Sequence, residues 1–120
     1  MFASTKKFWL FTAALNGLIA VIMGAVAAHA VADPQMAAMA EKASLYQLIH
    51  AVVLLSLSNR PGKFIEWARR MFLIGIILFS GTLYIRVLTE WAPITNLAPT
   101  GGLSLMAGWL LLMLAASQEE

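Results

Sequence analysis

The sequence predicts an all-α integral membrane protein, a single transmembrane domain built as a four-helix up-down-up-down bundle. Two observations predict it. Hydrophobic residues make up 61% of the 120 residues and charged residues 12%, against roughly 25% charged in an ordinary water-soluble chain. So few charges do not cover a small sphere in water, but they suffice where lipid covers most of the surface. The apolar residues also gather in four runs, at about 8–30, 43–58, 71–89 and 101–116, separated by stretches that hold most of the charge, proline and turn residues.

The first run follows Lys6-Lys7 and carries no formal charge from Phe8 to Ala30. At 1.5 Å per residue it is about 34 Å long, enough for a hydrocarbon layer of roughly 30 Å. Ala20, Gly24 and Ala28 recur every fourth residue, a small-residue ridge on which a neighbouring backbone packs closely. A secretory signal is the rival reading, because two lysines, an apolar run and Ala28-His29-Ala30 imitate a cleavable leader. The run is longer than the usual 7–15 residues of such a leader, which favours a retained helix.

Asp33-Pro34 supplies an N-cap and a residue tolerated at the first helical position. A second helix from Pro34 to about Ser58 is one reading; a short surface helix over 35–42, then a bend and a span from Ala43, is the other. Asn59-Arg60-Pro61-Gly62 is a turn by composition. Lys63, Glu66, Arg69 and Arg70 alternate with Phe64, Ile65 and Trp67 at the interfacial start of the third helix, with Glu66 and Arg70 in favourable i, i+4 order. Pro93 and Pro99 mark the last loop. The fourth span opens at Gly101-Gly102, and with Ser104, Gly108 and Gly81 of the third span these offer further packing positions.

Orientation follows from lysine and arginine placement. With the N-terminus in the cytoplasm of a bacterial cell, the inner side holds Lys6, Lys7, Arg60, Lys63, Arg69 and Arg70, and the outer side holds Lys42 and Arg86. That arrangement obeys the positive-inside rule and puts both termini inside. Trp9 and Trp67 then mark the inner interface and Trp91 the outer one. Trp109 falls within the fourth span and needs a packing or hydrogen-bond partner. The net charge of +2 is thus a topological signal, and nucleic acid is not an expected partner.

Tyr46, Gln47 and His50 share one face of the second helix. Lipid does not satisfy such groups, so that face turns towards protein. In this topology His29, Tyr46, Gln47, His50, Tyr84 and Arg86 all lie towards the outer side, where they are candidates for a shared polar pocket. Each also has a plain structural reading. Tyr46, Gln47 and His50 hydrogen-bond between helices, His29 caps the C-terminal end of its helix, and Arg86 snorkels to the headgroups or pairs with Asp33 or Glu90. Asn16 is read as interhelical glue on the inner half. Two histidines invite a haem or metal reading, but His50 lies about 12 Å deeper than the boundary near Lys42 while His29 lies near the surface. No HExxH pair, paired intramembrane carboxylates, glycine-rich phosphate loop or nucleophile elbow occurs. The chain is therefore expected to be non-enzymatic and without metal or cofactor, and the absence of cysteine excludes disulfides.

Several short motifs occur in order along nearly the whole chain: Gly24-Ala25 with Ala28-His29-Ala30, Tyr46-Gln47-x-x-His50-Ala51, Phe79-Ser80-Gly81-Thr82-Leu83-Tyr84, Pro99-Thr100-Gly101-Gly102 and Ala107-Gly108-Trp109. Together they resemble the domain-of-unknown-function 423 family of small multi-pass membrane proteins, relatives of transmembrane protein 256. The chain departs from that pattern at Ala27, where the family has glycine. The resemblance implies an inner-membrane protein with a retained first helix, no established activity and no catalytic residues to carry over. Two functional readings follow. One is a structural or interacting membrane protein, in contact with lipids and with a second copy or another membrane protein. The other is a small-ligand or ion-binding protein, accessory to transport, using the outer polar pocket.

Overall fold

A computed structural model describes residues 5–119 as helices joined by short turns, with no strand among the described residues. Helix α1 spans Thr5–His29, and α2 spans Pro34–Leu57. Helix α3 covers Lys63–Thr89 and contains one wide π turn at Ile77–Gly81. A 3₁₀ turn, Ala92–Leu97, leads into α4, Ala98–Ser117.

Helix α2 begins at the proline because Asp33 caps it. The Asp33 carboxylate accepts from the Gln35 N–H at 2.9 Å, and Pro34 occupies a position where no N–H is needed. No bend interrupts it at residue 43. Its depth reckoning changes as a result: with a start at Pro34, positions 46–50 fall near the middle of the helix rather than in its outer half.

Neighbouring helices run antiparallel. Ser44 meets Ala20 and Gln47 meets Asn16 between α1 and α2. Ala43 meets Ser80 and His50 meets Phe72 between α2 and α3. Phe72 lies against Gly108, and the Leu78–Phe79 backbone lies against Gly101, between α3 and α4. This is the up-down-up-down order, and the bundle is 50 Å long and 28 by 22 Å across. Its length slightly exceeds the 40–45 Å of a bilayer with its headgroups.

Three segments, Thr5–His29, Lys63–Thr89 and Ala92–Ser117, are long and apolar enough to cross a membrane. Helix α2 is as long but carries the polar face. Its outward residues, among them Leu45, Ile49, Val52 and Leu55, are apolar and exposed, whereas Ser44, Gln47 and His50 are buried. That distribution is the one lipid demands, with hydrogen-bonding groups turned in and aliphatic groups turned out, except at Tyr46, which was expected on the inward face and is 42% exposed. One apolar cluster, including Trp9, Leu54, Phe72, Ile76 and Leu105, fills the end near the α2–α3 turn. A smaller one, Ala43, Leu83, Tyr84 and Ala98, fills the other end.

The small residues sort by face. Ala20 is fully buried, and a Cβ on Gly24 would meet the Ser44 hydroxyl at 3.0 Å. Ala28 is exposed, and the ridge ends instead at Ala27. An every-fourth-residue row drifts round a helix of 3.6 residues per turn, so its third member swings off the contact. At α3–α4, a Cβ on Gly101 would stand 2.3 Å from the Phe79 nitrogen, and one on Gly108 would stand 2.5 Å from the Phe72 ring. Gly75 belongs to the same contact, against Leu105 and the Gly101 carbonyl. Gly81 and Gly102 have nothing within 4 Å of a Cβ and are not packing positions.

Candidate functional site: the polar core around α2

Gln47 joins three helices. Its Nε2 donates to Asn16 Oδ1 of α1 at 3.0 Å, and its Oε1 accepts from the Tyr84 hydroxyl of α3 at 2.6 Å. Asn16 passes the chain on, its Nδ2 donating to the Thr12 carbonyl at 2.9 Å. The result is one directed series of hydrogen bonds, Tyr84 to Gln47 to Asn16 to Thr12, across the bundle. Two serines reinforce it: Ser44 donates to the Ala20 carbonyl and Ser80 to the Ala43 carbonyl, each at 2.7 Å.

The π turn places Ser80. A wide turn disrupts the regular i→i+4 ladder, and here the Thr82 hydroxyl donates back to the Leu78 carbonyl at 2.7 Å and the Phe79 carbonyl at 3.1 Å. The same turn receives Gly101 of α4 against the Phe79 backbone. One irregularity thus meets α2 through Ser80 and α4 through Gly101.

His50 makes a second junction. Its Nδ1 lies 2.7 Å from the Tyr46 carbonyl, and its Nε2 lies 3.1 Å from Trp109 Nε1. A carbonyl only accepts and an indole N–H only donates, so Nδ1 carries the proton and Nε2 is the acceptor. His50 is therefore the neutral Nδ1–H tautomer, with both ring nitrogens engaged. Phe72 and Trp109 pack on the imidazole with centroids at 5.4 and 5.9 Å, and Tyr46 stacks beside it with planes 8° apart.

The six predicted pocket residues do not form one pocket. Gln47 and Tyr84 are bonded to each other, and Tyr46 and His50 are adjacent. His29 lies exposed in the last turn of α1. Arg86 lies in the last turn of α3 and makes no ion pair with Asp33 or Glu90 among the described residues. Both sit near the end of the bundle, whereas the Gln47 and His50 junctions sit at mid-depth, one turn apart on α2. Asn16, read from the sequence as interhelical glue on the inner half, is level with Gln47 because antiparallel packing pairs the middles of α1 and α2. Ser44 and Gly75 carried no signal beyond being small or polar within apolar runs, and Ser80 stood in the Phe79–Tyr84 motif without an assigned role. Trp109 did carry a signal, and its partner is His50.

Among the described residues, Arg69 Nε is the one buried side-chain nitrogen or oxygen without a hydrogen-bond partner. No group of three or more metal-ligating side chains gathers among them. Beside His50, a half-open cleft of about 260 Å³ lies between α2 and α4, lined by Tyr46, His50, Phe79, Gly102, Met106 and Trp109. Trp9, near one end of the bundle, is buried rather than turned outward, with the Arg69 guanidinium 5.5 Å from its ring centre. Trp67 and Trp91 are exposed near the two ends.

An all-helical bundle with apolar exteriors and inward hydrogen bonds is a multi-pass membrane protein. Residues 23–102 match the family described as "Protein of unknown function (DUF423)". The chain is 35% identical over 116 residues to a UPF0382 membrane protein of Staphylococcus aureus, an alignment covering 91% of this chain and 94% of that one. A UPF0382 membrane protein of Staphylococcus saprophyticus is 34% identical, with 90% and 95% covered. The UPF0382 inner membrane protein YgdD of Escherichia coli K12 is 33% identical over 122 residues, with 93% and 91% covered. The protein belongs to the DUF423 family of membrane proteins, as its motifs led one to expect. No solved structure matches it.

Proposed function

We propose that this is a non-enzymatic integral membrane protein in which the polar core locks four helices into one register, giving a rigid body for a structural or interaction role. Saturation of the core carries the reading. Tyr84, Gln47 and Asn16 spend their groups on one another, and His50 has a partner on each nitrogen. Each functional nitrogen and oxygen of these four side chains already has a partner inside the protein, as helix-locking groups require. The positive-inside rule supports a cytoplasmic location for both termini.

The test replaces His50 with Ala and follows thermal stability in detergent alongside native mass spectrometry of the purified chain. A structural lock predicts clear destabilisation and no small molecule lost relative to wild type. A variant of unchanged stability that loses a bound species contradicts it.

One observation favours a second reading. The Tyr46 hydroxyl makes no hydrogen bond among the described residues and stands at the mouth of the α2–α4 cleft. A small apolar molecule with a single acceptor fits there. The same spectra would detect it, and Tyr46→Phe would release it without destabilising the bundle.

A further inference from the structure

The cavity at the α2–α3 turn has a different chemistry from the saturated core. It holds about 570 Å³ and is bordered by Lys6, Ser58, Arg60, Lys63, Glu66 and Arg69, among others. Arg69 is 7% exposed, yet no carboxylate lies within 4 Å of its guanidinium among the described residues. Glu66 is taken by Arg70 at 2.6 Å, and Arg60 pairs with Glu119. Arg69 Nη1 donates to the Leu57 and Arg60 carbonyls, both at 2.9 Å, which closes the C-terminal end of α2. Its Nε is unpartnered, and its Nη2 makes no hydrogen bond among the described residues. The Trp9 ring lies 5.5 Å away on its face, but two carbonyl dipoles and a ring do not supply a buried cation with a counter-charge.

A second feature has the same polarity. Helix α3 starts at this cavity with Gly62 as N-cap, a residue that offers no side-chain acceptor to the first-turn N–H groups. Uncapped amides and the positive end of a helix dipole favour an anion. Lys6 and Lys63 are exposed on the rim and make no ion pair among the described residues. Glu66 is the single carboxylate among the cavity residues named above, and it is already engaged.

From the buried unpaired guanidinium, the uncapped helix and the two rim lysines, we infer that this cavity binds a phosphate group. It lies at the end of the bundle, at headgroup depth, so the phosphate comes from an anionic lipid of that leaflet or from free phosphate.

The experiment is native mass spectrometry of the full chain released from nanodiscs of phosphatidylglycerol and phosphatidylcholine in equal parts. Wild type is expected to retain phosphatidylglycerol in preference. Lys6→Gln combined with Lys63→Gln changes two exposed side chains and should lower that retention by about fivefold per lysine. Lys42→Gln removes the same charge at the opposite end and should leave it unchanged. Arg69→Gln also uncaps α2, so the lysine pair decides the matter even if that variant fails to fold. In phosphatidylcholine alone, a rise in Tm with millimolar inorganic phosphate, absent in the lysine pair, assigns the site to free phosphate. Equal retention of both lipids with no response to phosphate overturns the inference. So does a loss in Lys42→Gln as large as in the lysine pair.

Discussion

Gln47 bridges helices with both ends of its amide, to Asn16 of α1 and Tyr84 of α3, whereas His50 holds the Tyr46 carbonyl of its own helix with one nitrogen and Trp109 of α4 with the other. Trp109→Phe keeps the aromatic contact with Phe72 but removes the donor to His50 Nε2. The expected cost is about 1 kcal/mol by reversible unfolding in detergent. In the wild type, ¹⁵N NMR of His50 should read one protonated ring nitrogen, Nδ1; a protonated Nε2 would contradict the geometry. The polar face of α2 was legible in the sequence because a bilayer leaves inward burial as the fate of Gln47 and His50. Trp109 was legible as a residue needing a partner, for the same reason. The pairing of Asn16 with Gln47 was not, since it depends on how far α2 extends towards Asp33 and hence on register. His29 and Arg86 were grouped with the mid-depth residues because all six were assigned to the outer side, although counting from Lys42 already placed His50 about 12 Å deeper than the boundary.

At the scale of the helix, the glycines separate into two kinds that sequence alone does not distinguish. Gly101→Ala would drive a Cβ into the backbone of Leu78 and Phe79, atoms that do not rotate away. Its cost should reach the upper part of the range of about 1–3 kcal/mol seen for overpacking. Gly102→Ala meets nothing and should stabilise the helix by about 1 kcal/mol through propensity. Thermal unfolding of the two single variants checks both signs, and a loss at Gly102 matching that at Gly101 would contradict the packing. Adjacent glycines in one motif thus have opposite consequences because 100° of rotation puts one against α3 and the other on the open cleft. The π turn had no counterpart in the sequence reading, which resolved that region as Ser80, Gly81 and Thr82 within an ordinary span. Its contacts come from outside the segment, the Ala43 carbonyl of α2 accepting from Ser80 and Gly101 of α4 lying against Phe79, so no local pattern announces it.

At the scale of the molecule, α2 is the centre: α1, α3 and α4 each bond or pack against its polar side, and lipid meets the other. The chain has no cysteine, so single cysteines report sidedness cleanly. Thr5→Cys and Gln118→Cys should be labelled from the cytoplasm and Ala32→Cys from the opposite face. Labelling of the first two from different sides would overturn the four-crossing order. Composition sufficed for the class, because a chain this poor in charge has few ways to hide its backbone, and the four separated apolar runs gave the helix number. The central claim, that hydrogen bonds across α2 hold the bundle together, is tested most directly by a double-mutant cycle of Gln47→Leu and Tyr84→Phe on unfolding free energy in detergent micelles. A lock of the kind described predicts a favourable coupling of about 0.6–1.7 kcal/mol. Strictly additive single variants would show that the Tyr84–Gln47 bond contributes nothing, and the account would fail.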